Sequence, residues 1–196
     1  MFGQLVQLVV LFLVIFDPFA SLSVFVIASS SMSARDRKRT AGIAVLVALC
    51  LSLMILFFGE EFLQLFSTSL DEFRIAGGII LAILGVKMTL GHTLLNAEKY
   101  RGNSGKAIAA VIGTPLLTGP AAITAIIVSV SDYGRLLTLA AVLIVLFITA
   151  VLLFLAERVS RLLGATAVQV LSTMFGLVTL AWGVKFVTAG ILGIFG

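Results

Sequence analysis

Residues that usually support chemistry are scarce in this chain of 196 residues. A single cysteine, Cys50, excludes an internal disulfide, a CxxC redox pair and a cysteine metal cluster. The only histidine is His92, charged residues make up 11% of the chain, and no P-loop is present. An enzyme inside a membrane would need a nucleophile–base pair or a metal set, which these residues do not supply. We therefore expect no enzymatic activity, no metal and no cofactor.

Hydrophobic residues are abundant, at 61% of the chain, whereas soluble proteins have about 45–50%. Six apolar stretches are each long enough to cross a bilayer, which takes about 20 residues. The composition predicts an all-α membrane protein that forms a single polytopic domain over residues 1–196, surrounded by lipid. The spans are expected at about 4–28, 41–59, 73–91, 107–130, 136–156 and 167–194.

The basic residues predict the orientation in the membrane. Nine Lys and Arg residues fall in the loops after spans 1, 3 and 5, whereas only Arg74 and Arg135 fall in the loops on the other side. Because cytoplasmic loops are enriched in basic residues, both termini are expected outside the plasma (inner) membrane. This topology accounts for the +4 net charge, so we expect no nucleic-acid partner. The sequence is compatible with a homo-oligomer.

Proline occurs three times, and prolines interrupt two of the apolar stretches. Asp17-Pro18 lies in the middle of the first span and Gly119-Pro120 in the middle of the fourth, five residues after Pro115. A proline breaks the helical hydrogen-bond ladder, and a carboxylate in lipid is costly. Two broken helices in matching halves of a chain indicate a transporter binding site. We expect helices 1 and 4 to be broken near the middle of the membrane.

Two matches between the halves of the chain indicate an internal repeat. Pro18 matches Pro120 at a shift of 102. Gly85 matches Gly183 at a shift of 98, and both of these glycines begin a Gly-Val-Lys sequence. Each half then holds three spans, so the second half enters the membrane in the opposite sense. Coincidence between apolar helices is the alternative. The two inverted three-helix repeats would cover about 1–95 and 105–196.

The two breaks predict a binding site for a small solute. Pro18 and Pro120 are each suited to the first position of a half-helix, whose free N–H groups attract an anion, and unwound carbonyls can take an ammonium. A small zwitterion fits this arrangement. The predicted helix-break residues are Pro18, Pro115 and Pro120. The predicted substrate-binding residues are Asp17, Phe19, Ala20, Ser21, Thr114, Leu117, Thr118, Gly119, Ala121, Ala122 and Thr124.

The sequence leaves two interpretations open for several polar side chains. Asp17 is either a coupling carboxylate, which binds substrate ammonium, H⁺ or Na⁺, or a buried N-cap of its own helix. Lys87 and Lys185 are either countercharges for Asp17 or side chains that reach toward the membrane surfaces. The expected free donors are the N–H groups of Phe19, Ala20 and Ser21 in the first half and of Ala121, Ala122 and Ile123 in the second.

Glycines recur in the third and sixth spans and predict that these helices pack closely. Gly78 and Gly85 lie in the third span, and Gly176 and Gly183 lie in the sixth. Small residues let helix backbones approach each other in a membrane.

The segments Asp17-Pro18-Phe19-Ala20-Ser21-Leu22-Ser23-Val24-Phe25 and Thr114-Pro115-Leu116-Leu117-Thr118-Gly119-Pro120-Ala121-Ala122-Ile123 resemble the MarC family of integral membrane proteins. The resemblance extends over essentially the whole chain. The second segment is close to the family pattern Pro-Leu-Leu-x-Gly-Pro, whereas the first has Ala20, Ser21 and Ser23 where the family usually has Gly, Asn and Pro. The resemblance implies two inverted repeats and transport of small neutral amino acids such as glycine and alanine.

The expected function is therefore secondary active transport of small neutral amino acids, coupled to H⁺ or Na⁺, with alternating access to a site between helices 1 and 4. One alternative is an exporter or carrier of another small metabolite or of a lipid intermediate. A second alternative is a structural membrane subunit that transports nothing.

Overall fold

The computed structural model describes residues 2–91, 97–100 and 102–195, and this part of the chain contains helices and no strand. His92 lies outside the described residues. Short helices occur at Ala97–Tyr100 (3₁₀) and Ile112–Leu117 (π). The α-helices are α1 (Phe2–Phe16), α2 (Pro18–Ala28), α3 (Ala34–Leu65), α4 (Leu70–Thr89), α5 (Gly105–Val111), α6 (Pro120–Tyr133), α7 (Arg135–Phe154) and α8 (Ala156–Phe195).

Four helical stretches in the described part of the chain are long and apolar enough to cross a membrane. The expected third span coincides with α4, which has charged residues at both ends, and the expected fourth span is divided between shorter apolar helices. The described helices therefore agree with a multi-span protein. The four long stretches are Phe2–Ala28, Ala34–Leu65, Arg135–Phe154 and Thr166–Phe195.

Helix α3 begins at Ala34, in the basic segment that the sequence places in a loop. The Ser33 hydroxyl accepts the N–H of Asp36 at 3.2 Å and caps the helix, and an acidic residue in the first turn is favourable at a helix N-terminus. The helix therefore begins about two turns before residue 41, the expected start of the second span. The basic residues lie on the first turns of α3 and not in a loop.

The larger helix contacts each join one of the helices α1 to α4 with one of the helices α5 to α8. α1 packs against α7 as α5 packs against α3, and α2 packs against α8 as α6 packs against α4. The other two large contacts join α3 with α7 and α4 with α8. Phenyl rings of Phe12, Phe16 and Phe25 are among the largest fully buried side chains between these pairs.

Glycines line the contact between α4 and α8. A Cβ atom added to Gly78 would lie 2.7 Å from the carbonyl oxygen of Gly183, and one added to Gly85 would lie 2.7 Å from that of Gly176. These distances leave no room for a side chain, so the two helices approach backbone to backbone. The close packing predicted at these glycines is confirmed.

Ion pairs join helix ends at opposite ends of the long helix α3. Arg37, near its start, pairs with Glu157 at the start of α8. Glu60, near its end, lies 3.6 Å from the guanidinium of Arg135 at the start of α7. A helix rises about 1.5 Å per residue, so Arg37 and Glu60 are separated by about 35 Å, slightly more than the ~30 Å hydrocarbon core of a bilayer.

Candidate substrate-binding site

The first break lies at Asp17, between α1 and α2. Asp17 has φ 35° and ψ 73°, in the left-handed region, and Pro18 occupies the first position of α2. Proline cannot donate to the preceding turn, and its ring disfavours a helical conformation in the residue before it. The local sequence therefore ends α1 and starts a new helix at this point. The break lies where the sequence predicts it.

The carboxylate of Asp17 is held from two sides. Its Oδ1 accepts the N–H of Ala20 at 3.1 Å, and its Oδ2 accepts the hydroxyl of Ser172 at 2.6 Å. The side chain is buried, with 3% of its surface exposed. Asp17 thus caps α2, and it also links α2 to α8. Sequence reasoning missed Ser172, because no spacing or motif marks a contact between residues 155 positions apart.

The expectation of free donors at the start of α2 is wrong for two of its three groups. The N–H of Ala20 is bonded to the Asp17 side chain, and the N–H of Ser21 donates to the Asp17 carbonyl at 3.1 Å. A cap residue satisfies the first donors of its own helix, which leaves few for a ligand. The start of α2 is therefore occupied by its own cap.

The second break has a different construction. The chain passes from α5 through the π-helix Ile112–Leu117, and Gly119, at φ −69° and ψ 179°, precedes Pro120 at the start of α6. The Thr118 hydroxyl donates to the carbonyl of Gly113 at 2.6 Å. The stretch from Thr114 to Leu117 is thus a π-helix and not an unwound segment, and Thr118 does not cap α6.

The start of α6 keeps unpaired donors. Its first backbone bond runs from the N–H of Ile123 to the carbonyl of Gly119 at 3.1 Å, and no side chain caps the helix. Ile123 is therefore not a free donor, contrary to expectation. The N–H groups of Ala121 and Ala122 lie in the first turn of α6, where no intrahelical partner exists, and no cap or turn bond reaches them in the described parts of the chain. Both residues are buried, and unpaired buried N–H groups are rare because they lose their bonds to water.

One cavity of about 60 Å³ joins the two breaks. The polar groups around it include the Asp17 carboxylate and the hydroxyl-bearing residue Ser21. The Oγ of Ser21 is buried and has no hydrogen-bond partner within the described ranges. The volume suits a small ligand only. Of the predicted site residues, the cavity is lined by Asp17, Ala20, Ser21, Gly119, Pro120, Ala121 and Ala122.

Helix α4 closes the cavity with an apolar wall. Ile80, Leu84 and Met88 contribute to this wall, together with Phe16 and Leu116 from the segments beside the breaks. These three α4 residues could not be selected from the sequence, because they look like ordinary residues of an apolar helix. Their contact with the site depends on how α4 packs against α6.

Other predicted site residues lie away from the cavity. The ring of Phe19 packs edge-on against Phe175, with centroids 5.6 Å apart. Leu117 is fully buried in the core. Thr124 bonds its own helix, at the carbonyl of Pro120, and leaves no space for a Cβ at Gly77. These three residues support the packing around the site without lining it.

Thr114 and Thr118 line a second cavity, which lies between α3 and the second break. This apolar groove has a volume of about 310 Å³. Neither threonine lines the cavity at Asp17. The groove is lined by Leu51, Met54, Ile55, Phe58, Gly59, Phe62, Thr114, Thr118, Ile123 and Ile127.

Asp17 has no lysine partner among the described residues. Lys87 and Lys185 are both exposed, and the Nζ of Lys185 lies 4.3 Å from the centroid of the Trp182 ring. The interpretation of these lysines as countercharges for Asp17 is therefore wrong. Within the described ranges, no group of three or more His, Cys, Asp or Glu residues is arranged to hold a metal ion.

These features define a class of protein: a membrane protein of several spans, helical in its described segments, with two interrupted helices around a small cavity. A family model described as MarC family integral membrane protein matches residues 2–195. The chain belongs to the MarC family and is a multi-pass integral membrane protein. This finding confirms the resemblance seen in the two proline-containing segments.

Curated relatives agree with the family assignment. A UPF0056 membrane protein of Methanocaldococcus jannaschii is 34% identical over 187 residues, which cover 91% of each chain. The UPF0056 membrane protein YhcE of Escherichia coli is 32% identical over 191 residues, covering 91% of this chain and 87% of the relative. No solved structure matches the chain.

Proposed function

We propose that this protein is a secondary active transporter of small neutral amino acids, such as glycine and alanine, in the plasma membrane. The observation that carries the proposal is the single cavity shared by the two broken helices. Discontinuous helices supply backbone groups to substrate sites in many secondary transporters. The cavity of about 60 Å³ favours a small solute.

We further propose six spans arranged as two inverted repeats, and the α4–α8 contact supports this arrangement. A shift of 98 positions moves Gly78 to Gly176 and Gly85 to Gly183. The same shift turns the contact between Gly78 and Gly183 into the contact between Gly176 and Gly85, and both contacts are present. A two-fold relation between the halves requires this exchange, and the other paired helix contacts follow the same rule.

Asp17 is the group that we propose couples transport to H⁺ or Na⁺. It is the only charged residue between Phe2 and Ala28, and it lines the cavity. An ionisable residue within a membrane span usually has a functional role, because burying its charge is costly. A carboxylate in the substrate cavity can exchange H⁺ or Na⁺ for the substrate as the site opens alternately to the two sides.

Uptake into proteoliposomes tests this function. We expect labelled glycine to accumulate when a proton or sodium gradient is imposed and the Asp17→Asn variant to lose the gradient-dependent part. Asp36→Asn, which changes an exposed acidic residue on α3, is the matched control and should transport normally. Absence of gradient-dependent flux in the wild-type protein would overturn the proposal.

The apolar groove beside the second break favours a second candidate, a carrier of a lipid intermediate. At about 310 Å³ the groove is larger than the cavity at Asp17, and apolar side chains from α3 dominate its wall. Thermal-shift measurements with glycine, alanine and isoprenyl phosphates distinguish the two candidates. Stabilisation by the isoprenyl phosphates alone would favour the carrier and count against amino-acid transport.

The proposed orientation, with both termini outside the cell, rests on the distribution of basic residues. A reporter enzyme that is active only outside the cytoplasm, fused after Gly196, should be active. An inactive fusion beside an active cytoplasmic reporter would reverse the orientation.

A further inference from the structure

The two helix starts that meet at the cavity differ in what they offer a ligand. At α2, the positive end of the helix faces the Asp17 carboxylate, which already accepts the N–H of Ala20. At α6, no side chain serves as a cap, and the N–H groups of Ala121 and Ala122 have no partner within the described residues. Only the start of α6 is therefore open to an acceptor from outside the chain.

A third unpaired donor belongs to the first half of the chain. Ser21 lines the same cavity, only 1% of its surface is exposed, and its Oγ lacks a hydrogen-bond partner in the described segments. A buried hydroxyl without a partner costs free energy, as does a buried N–H. A ligand that accepts hydrogen bonds from all three groups removes these costs together.

We propose that the cavity binds a zwitterionic ligand in one orientation, with its carboxylate at Ser21 and the start of α6 and its ammonium at Asp17. The inference rests on the function proposed above and specifies how the two ends of the substrate are recognised. A carboxylate suits the start of α6, because helix N-termini attract anions and charge-assisted hydrogen bonds are strong. The specificity-determining residue for the carboxylate is Ser21.

Asp17 keeps the capacity to take the ammonium. Each carboxylate oxygen already accepts one hydrogen bond, from Ala20 or from Ser172. An ionised carboxylate has about four acceptor positions, so these bonds leave acceptor capacity for an ammonium. The bonds to Ala20 and Ser172 hold the carboxylate in place, which lets the ammonium bind without reordering the side chain.

Calorimetric titration of the full-length protein in lipid nanodiscs tests the orientation with three probes. Glycine carries both charged groups, glycinamide lacks the carboxylate, and acetate lacks the ammonium. We expect Ser21→Ala to weaken glycine and acetate binding roughly tenfold, as for loss of one hydrogen bond to a charged group, and to leave glycinamide within about twofold. Asp17→Asn should weaken glycine and glycinamide and spare acetate.

Ser23→Ala is the matched control, because Ser23 lies on the same helix and does not line the cavity. It should leave the affinity for all three probes unchanged. Glycine binding that Ser21→Ala leaves intact, or equal weakening of all three probes by that variant, would overturn the orientation and leave the transport proposal standing. If none of the probes binds the wild-type protein, the transport proposal fails and the orientation fails with it.

Discussion

At both breaks a proline starts the following helix, but the N-terminus of that helix is capped by a side chain at the first break and uncapped at the second. Before Pro18, a left-handed Asp17 caps α2 with its own carboxylate. Before Pro120, a π-helix leads to Gly119, which has no side chain to offer α6. A proline determines where a helix restarts, whereas the residue before it determines whether the new N-terminus is satisfied internally. The uncapped break is therefore the one that can bind an anion.

The surroundings of the two breaks differ in the same sense. Under the proposed repeat, Phe12, Phe16 and Phe25 correspond to Thr114, Thr118 and Ile127. The three phenyl rings are fully buried, whereas the three smaller side chains line the groove of about 310 Å³. Bulky rings fill space beside the first break that remains open beside the second.

The largest expected effect tests whether the halves are equivalent away from the breaks. Gly78→Val and its counterpart Gly176→Val should each reduce the free energy of unfolding by about 1–3 kcal/mol, because the added side chain meets backbone atoms of the facing helix. Equal losses are expected for equivalent positions, measured by unfolding in mixed detergent. Gly3→Val, with nothing within 4 Å of the added Cβ, is the control. Clearly unequal losses would contradict the equivalence of the two contacts.

Removing the cap at the first break and adding one at the second should change the free energy of unfolding in opposite directions. Asp17→Ala removes the acceptor for Ala20 and should lower the unfolding free energy by about 1 kcal/mol. Gly119→Asn gives α6 an acceptor and should raise it by a few tenths of a kcal/mol. The same unfolding assay measures both, and glycine titration should show weaker binding to the Gly119→Asn variant. A less stable Gly119→Asn variant would show that the uncapped start of α6 is not an energetic weakness.

Removing the link between Asp17 and α8 should have a smaller effect. Ser172→Ala breaks a hydrogen bond inside a membrane protein, which costs about 0.6 kcal/mol on average. The matched control is Thr173→Ala, because Thr173 is partly buried like Ser172 and bonds the carbonyl of Gln169 in its own helix. Thermal unfolding should separate the two variants. A Ser172 variant indistinguishable from this control would remove the link as a difference between the breaks.

The smallest expected effect concerns the last helix of each half, α4 and α8. Ser69 and Glu72 form a capping box at the start of α4. Hydrogen bonds from the backbone N–H of Ser69, which contributes most, and from its hydroxyl lower the pKa of Glu72 below its ordinary value. The folded protein therefore gains stability above the unfolded pKa of about 4.3, and this gain is lost as the pH falls toward the folded pKa. Glu72→Gln should show a slightly smaller fall in Tm between pH 7 and pH 4. In α8, Ala167 and Val170 occupy the corresponding positions, so no such pH term is expected there.

The positions of the breaks could be predicted because their causes are local. Pro18 and Pro120 each act on the backbone within a few residues, and the apolar runs around them indicate helices. Gly78 and Gly85 similarly indicate a close contact with another helix, because two helix backbones can approach closely only where side chains are small. These parts of the fold follow from short-range chemistry.

The parts of the site that could not be predicted depend on distant contacts or on hydrogen-bond competition. Ser172 reaches Asp17 only after α8 has packed against α2, and the apolar wall from Ile80 and Leu84 exists only because α4 lies beside α6. Thr118 was expected near the ligand, but the carbonyl of Gly113 in the π-helix takes its hydroxyl. Composition and spacing do not reveal which of several acceptors a hydroxyl will choose.

The backbone conformation at Asp17 also limits which residue types can occupy this position. Among residues with a side chain, a φ of 35° is tolerated best by Asn and Asp, and both can also cap a helix. The two side chains have nearly the same shape and differ by one unit of charge. A relative with Asn here would retain the bend and the cap but lack the negative charge, so natural variation at this position separates architecture from ion coupling.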